Sequence, residues 1–160
     1  MRAAVLSLVA LTIVAASREA QAQAAITETA VRAFVARQQA AWNADDRERY
    51  FAGFIPEARF TDQAYVGDKP PVPYGTSTLA QARAQARRMR GKAREAVEVT
   101  RIEIAPDGRS ARVLARVGST VETDGRVRRL CASRVQTLVL AGGRLRSTGK
   151  TDTFVKCRGG

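Results

Sequence analysis

The chain has 160 residues, room for one domain with a single core and too few for two ordinary ones. It contains no histidine, which removes Ser-His-Asp and Cys-His nucleophiles, the H-E-x-x-H zinc site and any imidazole base. Its formal charge of +12 is unevenly placed: residues 83–160 hold 19 basic against 7 acidic side chains, and residues 25–82 hold 6 against 7.

A cationic surface can recruit nucleic acid, anionic headgroups or acidic ligands. Here alanine and arginine are abundant together from end to end, and no basic motif is interleaved with aromatic residues. Neither nucleic acid nor a membrane surface is therefore expected as a partner.

Residues 1–24 open with Arg2, continue as the apolar run Ala3 to Ala16, and close on Ala20-Gln21-Ala22-Gln23-Ala24, which offers two overlapping A-x-A cleavage sites. The apolar run is about 14 residues, short of the roughly 20 that span a bilayer. The expectation is a cleaved secretory signal peptide over 1–24 and a single exported domain over 25–160, periplasmic or secreted. An uncleaved anchor is the alternative.

Thr27 or Thr29 can cap a first helix whose Val31, Phe34, Val35, Gln38, Ala41 and Trp42 recur at helical spacing. Asn43-Ala44-Asp45-Asp46 breaks it, and Asp45 or Asp46 caps a second helix through Arg47, Tyr50, Phe51 and Phe54 that Pro56 ends. Ala58 to Asp62 reads as a short strand, and Gly67 to Gly75 as a Gly- and Pro-rich loop. Thr76, Ser77 or Thr78 then caps a third helix through Leu79, Ala82, Ala86 and Met89, stopped by Gly91.

From Ala93 the period changes to two. Val97 and Val99 share one parity and Ile102 and Ile104 the other, so a bulge is expected near Thr100-Arg101. Pro106-Asp107-Gly108 and Asp124-Gly125 turn the chain around an inward face of Ala111, Val113, Ala115, Val117 and Val121. Val127 to Leu140 and Leu145 to Val155 form a last hairpin across Gly142-Gly143. Long strands with tight turns make an antiparallel meander, and the three helices are the only cover for its buried face.

The two cysteines lie on that hairpin. With a two-residue turn Ala141 faces Arg144, and an ideal register sets Cys131 opposite Phe154, three residues or about 10 Å short of Cys157. A disulfide tolerates Cα atoms up to about 7 Å apart. A bulge near Ser147-Thr148-Gly149 would close part of the gap and export would favour pairing. A disulfide and two unpaired thiols both stay open.

Over residues 26 to 156 the chain resembles the nuclear transport factor 2-like superfamily, with SnoaL-like and ketosteroid-isomerase-like members nearest in layout. The resemblance rests on Ala41-Trp42-Asn43-Ala44-Asp45-Asp46, on Tyr50, Phe51 and Phe54 leading to Pro56-Glu57-Ala58-Arg59-Phe60-Thr61-Asp62, and on Gly143-Arg144-Leu145-Arg146, where Leu145 replaces the family's usual tryptophan. It implies an α+β fold, three N-terminal helices packed on a strongly curved antiparallel sheet that forms a conical pocket, and a homodimer joined through the sheet's outer face.

Asp62 matches the general base of the ketosteroid isomerases, and a carboxylate against an apolar wall has a raised pKa suited to proton transfer. Where those isomerases carry a helix-one tyrosine that donates to the oxyanion, this chain offers Gln38 or Gln39. A loop-capping or arginine-paired role is the plainer reading of Asp62. Tyr50 joins Asp62 and Gln38 as a candidate catalytic donor, while Trp42, Phe54, Phe60, Tyr65, Tyr74 and Arg134 are candidate ligand contacts. Arg134, Lys150 and Asp152 are expected to point outward into water. Arg83, Arg87, Arg90 and Arg94 form one basic stripe, read first as a solvent face of the third helix and only second as an anion or headgroup site.

No metal site is expected, since Asp45-Asp46 beside Glu48 serves helix capping, and no cofactor fingerprint is present. The functional expectation is non-catalytic binding of a small, partly apolar ligand, or dimerisation and protein interaction. The alternative is a cofactor-independent isomerase, dehydratase or hydrolase that uses Asp62 as base.

Overall fold

The computed structural model describes residues 25–157, so the expected signal peptide lies outside the described residues. Helix α1 (Glu28–Asn43) starts where the Thr27 hydroxyl accepts from the Ala30 amide at 3.2 Å and buries Val31, Phe34, Val35, Gln38 and Ala41 along one stripe. It stops because Asp45 takes a left-handed turn, φ 58°, a conformation Asp tolerates better than most residues. Asp46 then caps the five-residue helix α2 (Arg47–Phe51) by accepting from the Arg49 amide at 3.0 Å.

Three expectations need correction here. Helix α2 ends at Phe51, and Phe54 and Pro56 already belong to strand β1 (Phe54–Ala64). Proline fits because β1 is unpaired with its neighbour between Phe54 and Arg59, so no ladder donor is lost. The stretch read as a loop contains strand β2 (Val72–Thr78), an edge strand where Pro73 is tolerated. Helix α3 (Leu79–Arg88) follows these two strands instead of preceding the sheet, and opens on a capping box between Thr78 and Gln81.

Strands β3 (Ala93–Ile104), β4 (Ser110–Thr123), β5 (Arg126–Ala141) and β6 (Arg144–Val155) form the expected meander, and all six strands make one open sheet in the order β2-β1-β6-β5-β4-β3. The sheet is mixed, not wholly antiparallel: β1 runs parallel to β6, which the long connection between them permits. The bulge in β3 falls at Thr100, skipped between Val99 and Arg101, and brings Val97, Val99 and Ile102 onto one face.

All three helices cover that face in two core clusters. Val31, Phe34 and Val35 of α1 meet Ala111, Val113 and Leu138; Tyr50, Phe51, Phe54, Ala58, Phe60 and Ala86 pack beneath α2 and α3. Asn43 joins α1 to β3 by exchanging two 2.8 Å hydrogen bonds with the Glu95 backbone.

The hairpin register explains the cysteines. Ala141 faces Arg144, and Thr148 is the extra residue between the Leu138–Ser147 and Thr137–Gly149 pairs. That insertion sets Cys131 opposite Val155, and the chain leaves the ladder over the next two residues. Cys131 and Cys157 are joined, with Cα atoms 5.1 Å apart. Gly149, φ 138°, cannot be replaced without moving β1, since a Cβ there would overlap the Arg59 carbonyl.

Candidate functional site

Strands β1, β6 and β5 set Asp62, Asp152 and Arg134 side by side, because Asp62 pairs with Asp152 and Asp152 with Arg134. All three lie on the face beneath the helices, so the expectation that Arg134, Lys150 and Asp152 point into water is corrected. Leu138 is fully buried, and alternation places Gln136 and Arg134 on the same side of β5.

Arg134 uses four of its five N–H groups. It donates Nε and Nη2 to Asp152 at 2.7 and 3.0 Å, and Nη1 and Nη2 to Glu95 at 3.3 and 3.1 Å. The Lys150 ammonium lies 3.4 Å from Asp152 and 6.0 Å from the centre of the Tyr50 ring. Burial disfavours the charge on Asp152, but Lys150 and Arg134 outweigh it and hold the carboxyl far below its ordinary pKa. The same contest, burial against Arg134 and Lys150, leaves Glu95 lowered. Arg134 is itself opposed by burial and raised by Glu95 and Asp152.

Above this network a cavity of about 200 Å³ opens between α2, α3 and the sheet. Trp42, Tyr50, Phe51 and Phe60 give it aromatic walls; Asp62, Lys150, Asp152, Ser77 and Gln85 give it polar groups. Asp62 stands exposed at its mouth, with no hydrogen bond or ion pair among the described residues. Partial desolvation first, and Asp152 second, raise its pKa against the pull of Lys150 and Arg134. The three carboxylates Glu95, Asp152 and Asp62 face only two cations, Arg134 and Lys150. Asp62 is the charge left over.

The other expected contacts divide. Tyr50 and Trp42 line the cavity, and Phe60 does too. Phe54 packs behind the wall, 4.9 Å from Phe60 between ring centres, and is not part of the lining. Tyr65 and Tyr74 are 58% and 65% exposed and lie outside it, which corrects their assignment as contacts within this cavity. Tyr74 is the extra residue of a bulge opposite Asp62-Gln63, and partial burial, then Asp62 and Asp152, raise its hydroxyl pKa.

Gln38 is turned away from Asp62: its Oε1 accepts from Gln136 Nε2 at 2.8 Å, and it borders a separate cleft beside Phe34 and Gly53. Gln39 is occupied too, accepting the Val97 amide at 2.7 Å. Glu95, Ser77, Gln85 and Met89 were not singled out from sequence as site residues. Glu95 had one available signal, its parity with the inward Val97 and Val99.

No protein-family model and no curated protein matches the chain. Solved structures do. The beta subunit of the benzoate 1,2-dioxygenase from Burkholderia mallei aligns with a TM-score of 0.61 at 12% identity over 81% of this chain and 91% of its own. A ketosteroid isomerase-like protein from Erwinia carotovora atroseptica gives 0.60 at 12% over 82% of this chain and 100% of its own. Aln2 from a Streptomyces species gives 0.58 at 24% over 79% and 89%. The chain has the nuclear transport factor 2-like fold. Gln38 lies outside the cavity, which leaves Tyr50 as the aromatic hydroxyl that lines it.

An Asp62→Asn variant tests the electrostatic reading. A carboxyl with a raised folded-state pKa favours folding below its unfolded pKa and loses that contribution as pH rises through the folded value. Asp62→Asn should therefore raise the melting temperature modestly at pH 7, with the gain fading as the pH falls through the raised folded value and gone below the ordinary value of 3.8. Equal or lower stability at pH 7, measured by thermal unfolding across pH, would mean that the carboxylate has a stabilising partner in solution.

Proposed function

We propose that this is an exported, non-catalytic domain that binds a small, partly apolar ligand in the aromatic cavity beneath α3. The observation that carries this reading is the pairing of aromatic walls with a mostly committed polar floor: Arg134 and Asp152 neutralise each other beneath the cavity, and Asp62 at its mouth is the carboxylate left over. A cavity of about 200 Å³ accepts a compact ring, not an extended lipid. The family resemblance adds a homodimer through the outer face of the sheet.

The test is thermal shift against a panel of small aromatic amines, neutral aromatics and aromatic carboxylates, with oligomer mass and any retained ligand read by native mass spectrometry. At least one compound should stabilise the protein, and Ala82→Phe, which narrows the cavity, should abolish that shift. A panel with no effect would remove ligand binding and leave an interaction role.

The shared cavity of Asp62 and Tyr50 favours one second reading, a cofactor-independent isomerase or dehydratase with Asp62 as base and Tyr50 as donor. It requires deuterium exchange beside the carbonyl of enolisable ketones that Asp62→Asn eliminates. Exchange at the solvent rate in the unaltered protein would exclude it for that class of substrate.

A further inference from the structure

On the far side of Phe51 from the aromatic cavity, α2 and α3 enclose a second cleft, about 160 Å³, lined by Arg47, Arg83, Arg87 and Arg90 together with Asp46 and Glu48. Among the described residues three buried side-chain atoms have no hydrogen-bond partner: Gln38 Nε2, Arg47 Nε and Arg83 Nε. Arg47 and Arg83 both line this cleft, and a buried guanidinium N–H without an acceptor is costly.

The two inner arginines are held by aromatic rings as well as by charge. Arg47 is 5% exposed and stacks 3.9 Å above the centre of the Trp42 ring. Its Nη1 donates to the Trp42 carbonyl at 2.6 Å and its Nη2 to Asp45 at 2.7 Å, leaving Nε over. Arg83 lies 5.7 Å from the Phe51 ring centre. Arg87 and Arg90 are exposed and make no ion pair among the described residues, which shows more basic charge here than the protein neutralises.

The acidic side chains at the cleft do not cancel this. The Asp46 carboxylate is committed to the Arg49 amide as the cap of α2. Glu48 is 87% exposed and only 3.7 Å from Arg83, an ion pair that an incoming anion can displace at little cost. With Asp45, which pairs with Arg47, counted in, four guanidinium groups face three carboxylates and leave the cleft net positive, the sign that attracts an anion. Planar guanidinium forks suit tetrahedral oxyanions, and the narrow cleft admits one such group.

We propose that the cleft between α2 and α3 binds a phosphate group, held by Arg47 and Arg83 from within and by Arg87 and Arg90 at the rim. This site is separate from the aromatic cavity and does not depend on what fills it. The phosphate can be a soluble phosphate monoester or the headgroup of a phosphomonoester lipid, since the cleft reads the same group in both.

The experiment uses the whole chain with inorganic phosphate in calorimetry and thermal shift at matched ionic strength, and with vesicles containing phosphatidic acid. The variant is Arg87→Ala with Arg90→Ala, both exposed and outside the folded core. An Arg112→Ala, Arg116→Ala variant removes the same charge from the outer face of β4. Phosphate should stabilise the protein beyond an equal ionic strength of chloride, and the α3 variant should weaken binding about tenfold per arginine removed. The β4 variant should bind as the unaltered chain does.

Vesicle binding that follows the same variant pattern without a response to free phosphate assigns the site to lipid headgroups. Response to free phosphate assigns it to soluble esters. Absence of both, or equal weakening by the two variants, would overturn the proposal by reducing the effect to net charge. Circular dichroism of the unliganded variants keeps a folding defect from being read as lost binding.

Discussion

Arg134→Met is expected to leave the domain barely folded. The substitution keeps an unbranched apolar stem but strips the only bidentate partner from two buried carboxylates, Glu95 and Asp152. Removing one member of a buried ion network costs about 3–5 kcal/mol, because the remaining charges stay desolvated and unpaired. A domain of this size is stable by only about 5–15 kcal/mol. Urea unfolding followed by circular dichroism reads the loss directly.

The compensating variant separates charge from packing. Glu95→Gln, Asp152→Asn and Lys150→Met added to Arg134→Met remove every charge of the network and should recover most of the stability, since a neutral replacement of a buried ion network is often near neutral in energy. A loss below about 1 kcal/mol for Arg134→Met alone would place the network in surface-like solvent, where such pairs contribute that little.

The pH profile supplies an independent sign. In the unaltered protein Glu95 and Asp152 are depressed, so their contribution is present above the ordinary values of 4.5 and 3.8 and is lost as the pH falls below them. In Arg134→Met, Glu95 loses its leading cation while Lys150 still lowers Asp152, so the loss of stability on acidification should shrink. A profile of unchanged steepness would show that Arg134 does not control Glu95.

The helices were legible because their signals are local. Thr27, Asp46 and Thr78 cap helices from positions next to the apolar stripes, and the parity change at Thr100 shows a bulge without any knowledge of the partner strand. Strand β2 was hidden by the Pro and Gly content that an edge strand tolerates. The parallel β1–β6 pairing joins segments at opposite ends of the domain and leaves no local trace.

The candidate site was legible only in part for the same reason. Asp62 stands where the β1 pattern put it, but its neighbours come from β6 and β5, fixed by long-range register. On β5 both parities carry large apolar residues, Val135 and Val139 on one and Leu138 and Leu140 on the other. Charge then suggested an outward Arg134, whereas the buried Leu138 fixes it inward. The arginine stripe of α3 was visible from its spacing; the orphaned Nε of Arg47 beside it was not, because that depends on the Trp42 stacking and the turn at Asp45.

Opening the Cys131–Cys157 bridge is the second large expected loss. The bond closes a loop of 26 residues, and the chain-entropy relation gives about 3 kcal/mol for a loop of that length. The Cys131→Ser, Cys157→Ser double variant removes the bond without leaving a reactive thiol, and should lower the denaturant midpoint while the slope rises as the unfolded chain opens out. The damage should also be directional. The bridge fastens the end of β6 just beyond the pairs Ser133–Thr153 and Arg134–Asp152, so fraying from residue 157 loosens Asp152 next. Hydrogen exchange should accelerate most at Thr153, Phe154 and Val155, and far less at the Gly142-Gly143 turn. A double mutant cycle with Arg134→Met should then give less than additive losses, since an end of β6 already loosened lets water reach Asp152. Strict additivity would show that the bridge and the buried charge network stabilise the sheet independently.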